Sequence, residues 1–289
     1  IILSGPSGVG KGSVIEVVKS LGGELEKLVL FNTRVPRGDE VDGKDYYFIT
    51  AAREDIDEIL KMPAEERIKI IKIAFDKVKE RDRSLSDREE EIMENLKKVY
   101  ISLNGEDEDI IKMKAEKLAR VREFIRRIET GKFCAIALIR NDFQAVGSDI
   151  FEIINNDPKT FFLEVDTTLA DQIIHSDSYN SPINKLDAMA IMLVPPNGSE
   201  LMSRLLNRNT EDSDEIIRRY KNAIENLWRS RNNKVHDFYI VNDDKLGAAI
   251  EFMRLTGLSD TEPHLWQRYN GLNIARAYFH QIEQMRDSQ

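Results

Sequence analysis

Ile1-Ile2-Leu3-Ser4-Gly5-Pro6-Ser7-Gly8-Val9-Gly10-Lys11-Gly12-Ser13 is the stretch that decides the fold. The apolar residues up to Ser4 predict a short buried strand. A glycine-rich turn follows. From Gly12 to about Leu21, Val14, Ile15, Val17 and Val18 recur at helical spacing, and Gly22-Gly23 stops the pattern. Strand, glycine loop and helix form the context in which Gly5-x-x-x-x-Gly10-Lys11 holds nucleotide phosphates. Glycines let successive backbone N–H groups point inward at phosphate oxygens. The helix N-terminus behind them adds partial positive charge, and Lys11 can bridge the terminal phosphates. The residue after the lysine is usually a Ser or Thr whose hydroxyl helps hold Mg²⁺. Gly12 stands there, so Ser13 is expected to supply the hydroxyl. ATP and Mg²⁺ are the expected ligands, with Gly5, Pro6, Ser7, Gly8, Val9, Gly10, Lys11, Gly12 and Ser13 forming the cradle.

Outward from this loop, composition narrows the alternatives. The chain has 289 residues, 41% hydrophobic and 32% charged, a globular balance rather than a disordered one. No apolar run approaches the roughly 20 residues that span a bilayer. Ile1 is not a natural initiator, so residues are expected to precede it, and no signal peptide is visible. Cys134 is the sole cysteine, which excludes an intramolecular disulfide and fits a cytoplasmic setting. His175, His236, His264 and His280 show no metal-ligand spacing and are expected on the surface or packed. A net charge of −9 argues against a general nucleic-acid binder. It leaves room for a local positive cleft that takes a nucleotide.

A second constellation lies at Thr33-Arg34-Val35-Pro36-Arg37-Gly38-Asp39-Glu40-Val41-Asp42-Gly43-Lys44-Asp45-Tyr46. Arg34 and Arg37, near a turn and a tyrosine, can clamp one phosphate dianion through charge-assisted bonds. Beside the phosphate loop this suggests a separate acceptor site. Tyr46-Tyr47-Phe48-Ile49 predicts a strand after the Asp42-Gly43 turn.

From Ala51 to Thr130 the chain is rich in Glu, Lys and Arg, with one glycine and one proline. Ile68, Ile71, Phe75 and Val78, then Leu118, Val121, Phe124, Ile125 and Ile128, recur at helical spacing. At least three helices are predicted, broken near Ser84-Leu85-Ser86 and Asn104-Gly105. A solvated helical insertion with a structural role, or one that binds a protein partner, is expected here. After Gly131, strands are predicted at Thr160–Asp166, Ala188–Val194 and Asp237–Val241. Helices are predicted at Ser199–Leu206, Ser213–Leu227 and Lys245–Thr256. This alternation implies an α/β fold, a parallel sheet flanked by helices. Residues 258–289 are expected to form a helical tail without chemistry.

The phosphate loop and the arginine–tyrosine segment resemble guanylate kinase, and the resemblance continues in order. Arg204-Leu205-Leu206-Asn207-Arg208-Asn209-Thr210-Glu211 is similar to the start of that family's mobile lid, and Arg219 to another lid-associated arginine. Tyr239-Ile240-Val241-Asn242-Asp243-Asp244 is similar to its last strand and adenine-side loop. The resemblance covers residues 1–50 and 131–257 as a core, with 51–130 inserted in the monophosphate-binding region. It implies a P-loop NTPase-type fold and phosphoryl transfer from ATP to a nucleoside monophosphate, GMP by default. It implies that Lys11, Arg204, Arg208 and Arg219 act on the transferred group, and that Asn242 lies near the adenine. Arg34, Arg37, Glu40, Tyr46, Glu164, Asp166 and Ser148 would serve the acceptor side. No nucleic acid or membrane is implied.

Three positions depart from the family pattern. Leu30 stands for a serine that contacts the base, Ala135 for the glutamate that accepts from guanine, and Val146 for a tyrosine. A pocket lacking those groups loses hydrogen-bond discrimination, which leaves the acceptor base open. Two other functions follow from the same residues: a guanylate-kinase-like interaction module without catalysis, and a related kinase acting on a phosphorylated sugar.

Overall fold

The computed structural model describes residues 1–100, 107–175, 188–207 and 213–259. In chain order the strands are β1 (Ile2–Ser4), β2 (Glu26–Leu28), β3 (Leu30–Asn32), β4 (Tyr46–Phe48), β5 (Phe133–Ile139), β6 (Asp142–Gly147), β7 (Phe161–Glu164), β8 (Ala190–Val194) and β9 (Phe238–Val241). The α-helices are α1 (Lys11–Ser20), α2 (Arg53–Lys61), α3 (Ala64–Lys79), α4 (Glu89–Tyr100), α5 (Glu108–Glu129), α6 (Ile150–Asn156), α7 (Thr167–His175), α8 (Gly198–Leu206), α9 (Ser213–Asn232) and α10 (Lys245–Leu255). Contacts divide the chain into two compact units. One joins Ile1–Leu28 to the described residues from Ile154 onward, and the other is Val29–Ile153.

The first unit carries an all-parallel sheet ordered β2-β7-β1-β8-β9. All five residues of β8 are buried, as a strand covered on both faces requires. Alternation along it sorts the two faces. Ile191 and Leu193 pack with Val14 and Val18 of α1 and with Ala249 and Phe252 of α10. Met192 and Val194 pack with Leu227 of α9. Among the described residues, the expected strands and helices of this half are present within a few residues of their predicted ends. Ligands of open parallel sheets bind beyond the carboxyl ends of the strands. There Gly5 follows β1, Asp166 follows β7 and Asn242 follows β9.

The second unit has a mixed four-stranded sheet ordered β4-β3-β6-β5. The sequence pattern implied the parallel sheet but did not disclose this second one. In it β5 and β6 form an antiparallel hairpin whose turn uses Arg140 at φ 63°, a short link that only antiparallel neighbours allow. Helices α2 to α5 share one core with this sheet. Ile71, Phe75, Leu118, Val121 and Phe124 pack with Phe133, Ile136 and Phe143. Rings run through it in series: Tyr47–Phe31 at 5.0 Å, Phe31–Phe133 at 5.2 Å, Phe133–Phe124 at 5.2 Å and Phe124–Phe143 at 5.3 Å. Two forked ion pairs fasten α2 to α5: Arg126 on the buried Asp55 (2.6 and 2.8 Å) and Arg122 on Glu58 (2.6 and 2.9 Å). The Arg126 guanidinium holds the Asp55 carboxyl below its ordinary range.

Of the predicted helix breaks, Ser84-Leu85-Ser86 falls in a short 3-10 helix, Arg83–Arg88. Asn104-Gly105 lies outside the described residues, as does the predicted tail from residue 260 onward.

Candidate nucleotide-binding site

The loop from Gly5 to Gly10 is held open by glycine geometry. Gly5, Gly8 and Gly10 have φ of 147°, 88° and 94°, values that side chains rarely adopt. At Gly5 a Cβ would also lie 2.4 Å from the Leu193 carbonyl oxygen. Lys11 folds its ammonium back onto the Gly5 carbonyl at 2.8 Å, so its charge sits at the loop's mouth. Helix α1 begins directly behind. Gly10 is its N-cap and brings no side-chain cap to the first turn. By contrast, Asn197 caps α8 and Asp244 caps α10 with side-chain oxygens. An uncapped helix start with no acidic residue in its first turn is suited to an anion.

Two of the three predicted arginines touch this loop. Arg204 is fully engaged: Nε donates to Glu200 (2.8 Å), Nη2 to the Asn242 carbonyl (2.8 Å) and Nη1 to the Val9 carbonyl (3.4 Å). Asn242 is buried, and its amide donates to the same Val9 carbonyl at 2.6 Å. Arg204 and Asn242 thus knot α8 and β9 to the back of the loop. Arg219 of α9 is buried, and its Nη1 lies 3.5 Å from Ser7 Oγ. Arg208 lies outside the described residues.

Glu164 ends β7 beside Leu3 of β1. Asp166 caps the next helix through the Thr168 N–H (2.9 Å) and accepts the Asn226 amide (2.9 Å). Ser13 sits in the first turn of α1, partly exposed, and nothing would crowd a Cβ on its neighbour Gly12. Among the described residues no three His, Cys, Asp or Glu side chains cluster as a metal cage. That thin donor set fits a magnesium ion held largely by phosphate oxygens and water, to which one hydroxyl is added.

Of the predicted acceptor residues, Arg34, Arg37, Glu40 and Tyr46 come together in the second unit, whereas Glu164 and Asp166 belong to the first. Arg34 grips Glu40 with both Nη atoms, at 2.5 and 2.6 Å. The same carboxylate accepts the Arg37 N–H at 2.8 Å. The Arg34 guanidinium lies over Tyr46 and Phe48, 5.0 and 5.3 Å from the ring centroids. Burial works against its charge, but the Glu40 carboxylate outweighs this and raises its pKa. In return, Arg34 holds the Glu40 carboxyl below its ordinary range. Arg37 is exposed. Ser148 stands apart from this group, donating to the Gly131 carbonyl at 2.9 Å across the open end of the hairpin.

The three departing positions are buried in the sheet. Leu30 is buried, and Ala135 pairs with Val146 across β5 and β6, both without exposure. None brings a polar side chain.

Two arrangements escaped sequence reading. His236 is buried in the first unit with Ser4 Oγ on one ring nitrogen (2.5 Å) and Ser230 Oγ on the other (2.6 Å). Ser230 Oγ also meets the Tyr239 hydroxyl at 2.7 Å. Burial lowers the pKa of His236 to about 3, so the ring is neutral and needs both partners. Ser4 and His236 are too distant in sequence for any spacing rule to pair them. The second arrangement is Arg120 of α5, whose Nε donates to the Thr33 carbonyl at 2.8 Å. Its one sequence signal is a charged residue placed between the buried Ala119 and Val121.

A family profile described as guanylate kinase matches residues 1–68. "Guanylate kinase 1" of rice, Oryza sativa subsp. japonica, is 26% identical over 261 residues, which is 90% of this chain and 48% of the rice protein. The chain thus spans about half the length of that relative. "Guanylate kinase" of Lactiplantibacillus plantarum is 25% identical over 245 residues, covering 84% of this chain and 80% of the bacterial one. A solved guanylate kinase from Anaplasma phagocytophilum overlays 96% of this chain and 93% of its own, at 17% identity and a TM-score of 0.47. The sequence similarity to the rice and Lactiplantibacillus proteins extends, at low identity, along most of the chain.

Proposed function

We propose that this chain, a divergent relative of the guanylate kinases, transfers the terminal phosphoryl group of ATP to GMP, giving ADP and GDP. One observation carries this: a glycine loop with Lys11 at its mouth and an uncapped helix behind it, built beyond the carboxyl end of a central parallel strand. The loop amides and Lys11 would hold the ATP phosphates, and Arg219, against Ser7, would add charge beside them. Arg204 and Asn242 would act from behind, fixing the Val9 peptide so that the amides keep their aim. Arg34, Arg37 and Tyr46 would hold the acceptor phosphate, with Glu40 shaping their turn.

In the reaction an oxygen of the acceptor phosphate bonds to the terminal phosphorus, and the bond to the bridging oxygen of ADP breaks. Charge spreads over the transferred group without covalent help from the protein. What the chain supplies is placement and fixed positive charge. Magnesium would neutralise charge on the ATP phosphates, and Ser13 would supply it a hydroxyl. We place this activity in the cytoplasm, in keeping with a single cysteine.

The test is an assay of ADP release with ATP and each nucleoside monophosphate in turn. GMP should stimulate release most. Stimulation by no monophosphate would overturn the proposal. A binding module without catalysis is favoured by the apolar Leu30, Ala135 and Val146. It predicts that ATP titration shows no binding, whereas the kinase requires it.

A further inference from the structure

We propose that Arg120, carried by the helical segment, is a positioning residue that sets the aim of Arg34. Its role rests on Arg34 holding the acceptor phosphate, as proposed above. Arg120 lies on the inner side of α5 and is 8% exposed. It makes no ion pair among the described residues. Glu116, Tyr100 and Asp142 face it and favour its charge, but burial outweighs them and lowers its pKa. Burying a guanidinium without a paired carboxylate is costly. An apolar residue would join α5 to the sheet at less expense.

What Arg120 reaches explains the arrangement. Its Nε donates to the carbonyl of Thr33. The N–H of the same peptide group belongs to Arg34, and it donates to Asn32 Oδ1 at 3.1 Å. One peptide plane, the one from which Arg34 departs, is therefore held at both ends. Its surroundings are fixed as well. The Thr33 N–H donates to the Phe143 carbonyl (3.0 Å), and the Thr33 hydroxyl accepts the Phe143 N–H (2.9 Å). The Asn32 carbonyl accepts the Ile49 N–H (2.9 Å). A clamp that must meet a phosphate within a fraction of an ångström needs such support. By resemblance residues 51–130 are an insertion in the monophosphate-binding region with a structural or partner-binding role. Through Arg120 they determine how the acceptor is held.

The test compares the full chain with R120M and R120K. In R120M the amide of Arg34 should exchange its hydrogen faster, and the KM for GMP should rise about tenfold. The KM for ATP and kcat should stay within about twofold. R120K keeps a donor but loses the fixed fork, so its GMP KM should fall between the two. If R120M fails to fold, R120K at unchanged Tm decides. An unchanged Arg34 exchange rate, or equal rises in both KM values, would overturn the role of Arg120. Failure of the unsubstituted chain to bind GMP, with Arg34 exchange still faster in R120M, would instead overturn the acceptor assignment of Arg34 on which the role rests.

Discussion

Arg34 and Glu40 form a two-pronged pair, with Nη1 on Oε2 at 2.5 Å and Nη2 on Oε1 at 2.6 Å. In the function proposed here the carboxylate occupies the fork that would grip an acceptor phosphate, and it also holds the Arg37 N–H. A phosphate dianion offers more charge than a carboxylate and can share or take this fork. Until then Glu40 keeps Arg34 ordered over Tyr46.

The first prediction concerns this pair. Arg34→Met should raise the KM for GMP about a hundredfold, since a forked charge-assisted contact is lost. Glu40→Gln should raise it about tenfold, because the turn loses its shared acceptor while Arg34 remains. Steady-state kinetics with GMP varied at saturating ATP measures both. The Glu40 pKa is lowered in the folded chain, so its contribution is present above its ordinary value of 4.5 and is lost as pH falls through the lowered one.

Lys11→Ala should reduce ADP release about a hundredfold or more, the usual cost of deleting one preorganised donor to a reacting phosphate. Lys11 bonds the loop through its side chain at the loop's mouth, so Tm should move little. Activity near that of the unsubstituted chain would show that turnover occurs elsewhere.

The glycines of the loop should part company. Gly5→Ala combines a φ of 147° with a Cβ at 2.4 Å from a backbone oxygen. It should destabilise the chain by about 2 kcal/mol or more and weaken ATP binding. Gly12→Ala meets nothing within 4 Å and lies in a helix. It should leave Tm unchanged or raise stability by about 0.5–1 kcal/mol. Thermal melting of the two variants decides.

Acid should act through His236. Its folded pKa, about 3, lies below its ordinary value of 6.5. The unfolded chain therefore binds the extra proton first, and stability is full above 6.5 and falls as pH drops towards 3. Within that window the slope is about 1.4 kcal/mol per pH unit. His236→Asn should flatten that part of a denaturant-midpoint profile against pH. An unaltered profile would show that other groups govern acid unfolding.

How much of this was legible depended on distance along the chain. The loop, its strand and its helix are contiguous, so residues 1 to 21 disclosed them. Arg34, Glu40 and Tyr46 fall within one turn and could be grouped by motif. The hairpin of β5 and β6 was obscured because a near-continuous apolar run, Phe133 to Ile139, shows no clear alternation. The contact of Arg120 with Thr33, 87 residues away, and that of Ser4 with His236, 232 residues away, exist only once the chain has folded. Asn242 is placed near the adenine by resemblance; its bond to the Val9 carbonyl, 233 residues away, could not be read from the sequence.

The aromatic series from Tyr47 to Phe143 has one more consequence. It passes through Phe124, a residue of the helical segment, on its way between strands. Excising residues 51–130 would therefore strip a ring from the middle of a stack and leave Phe133 and Phe143 facing water. The segment and the sheet share a single core, so neither would keep its packing without the other.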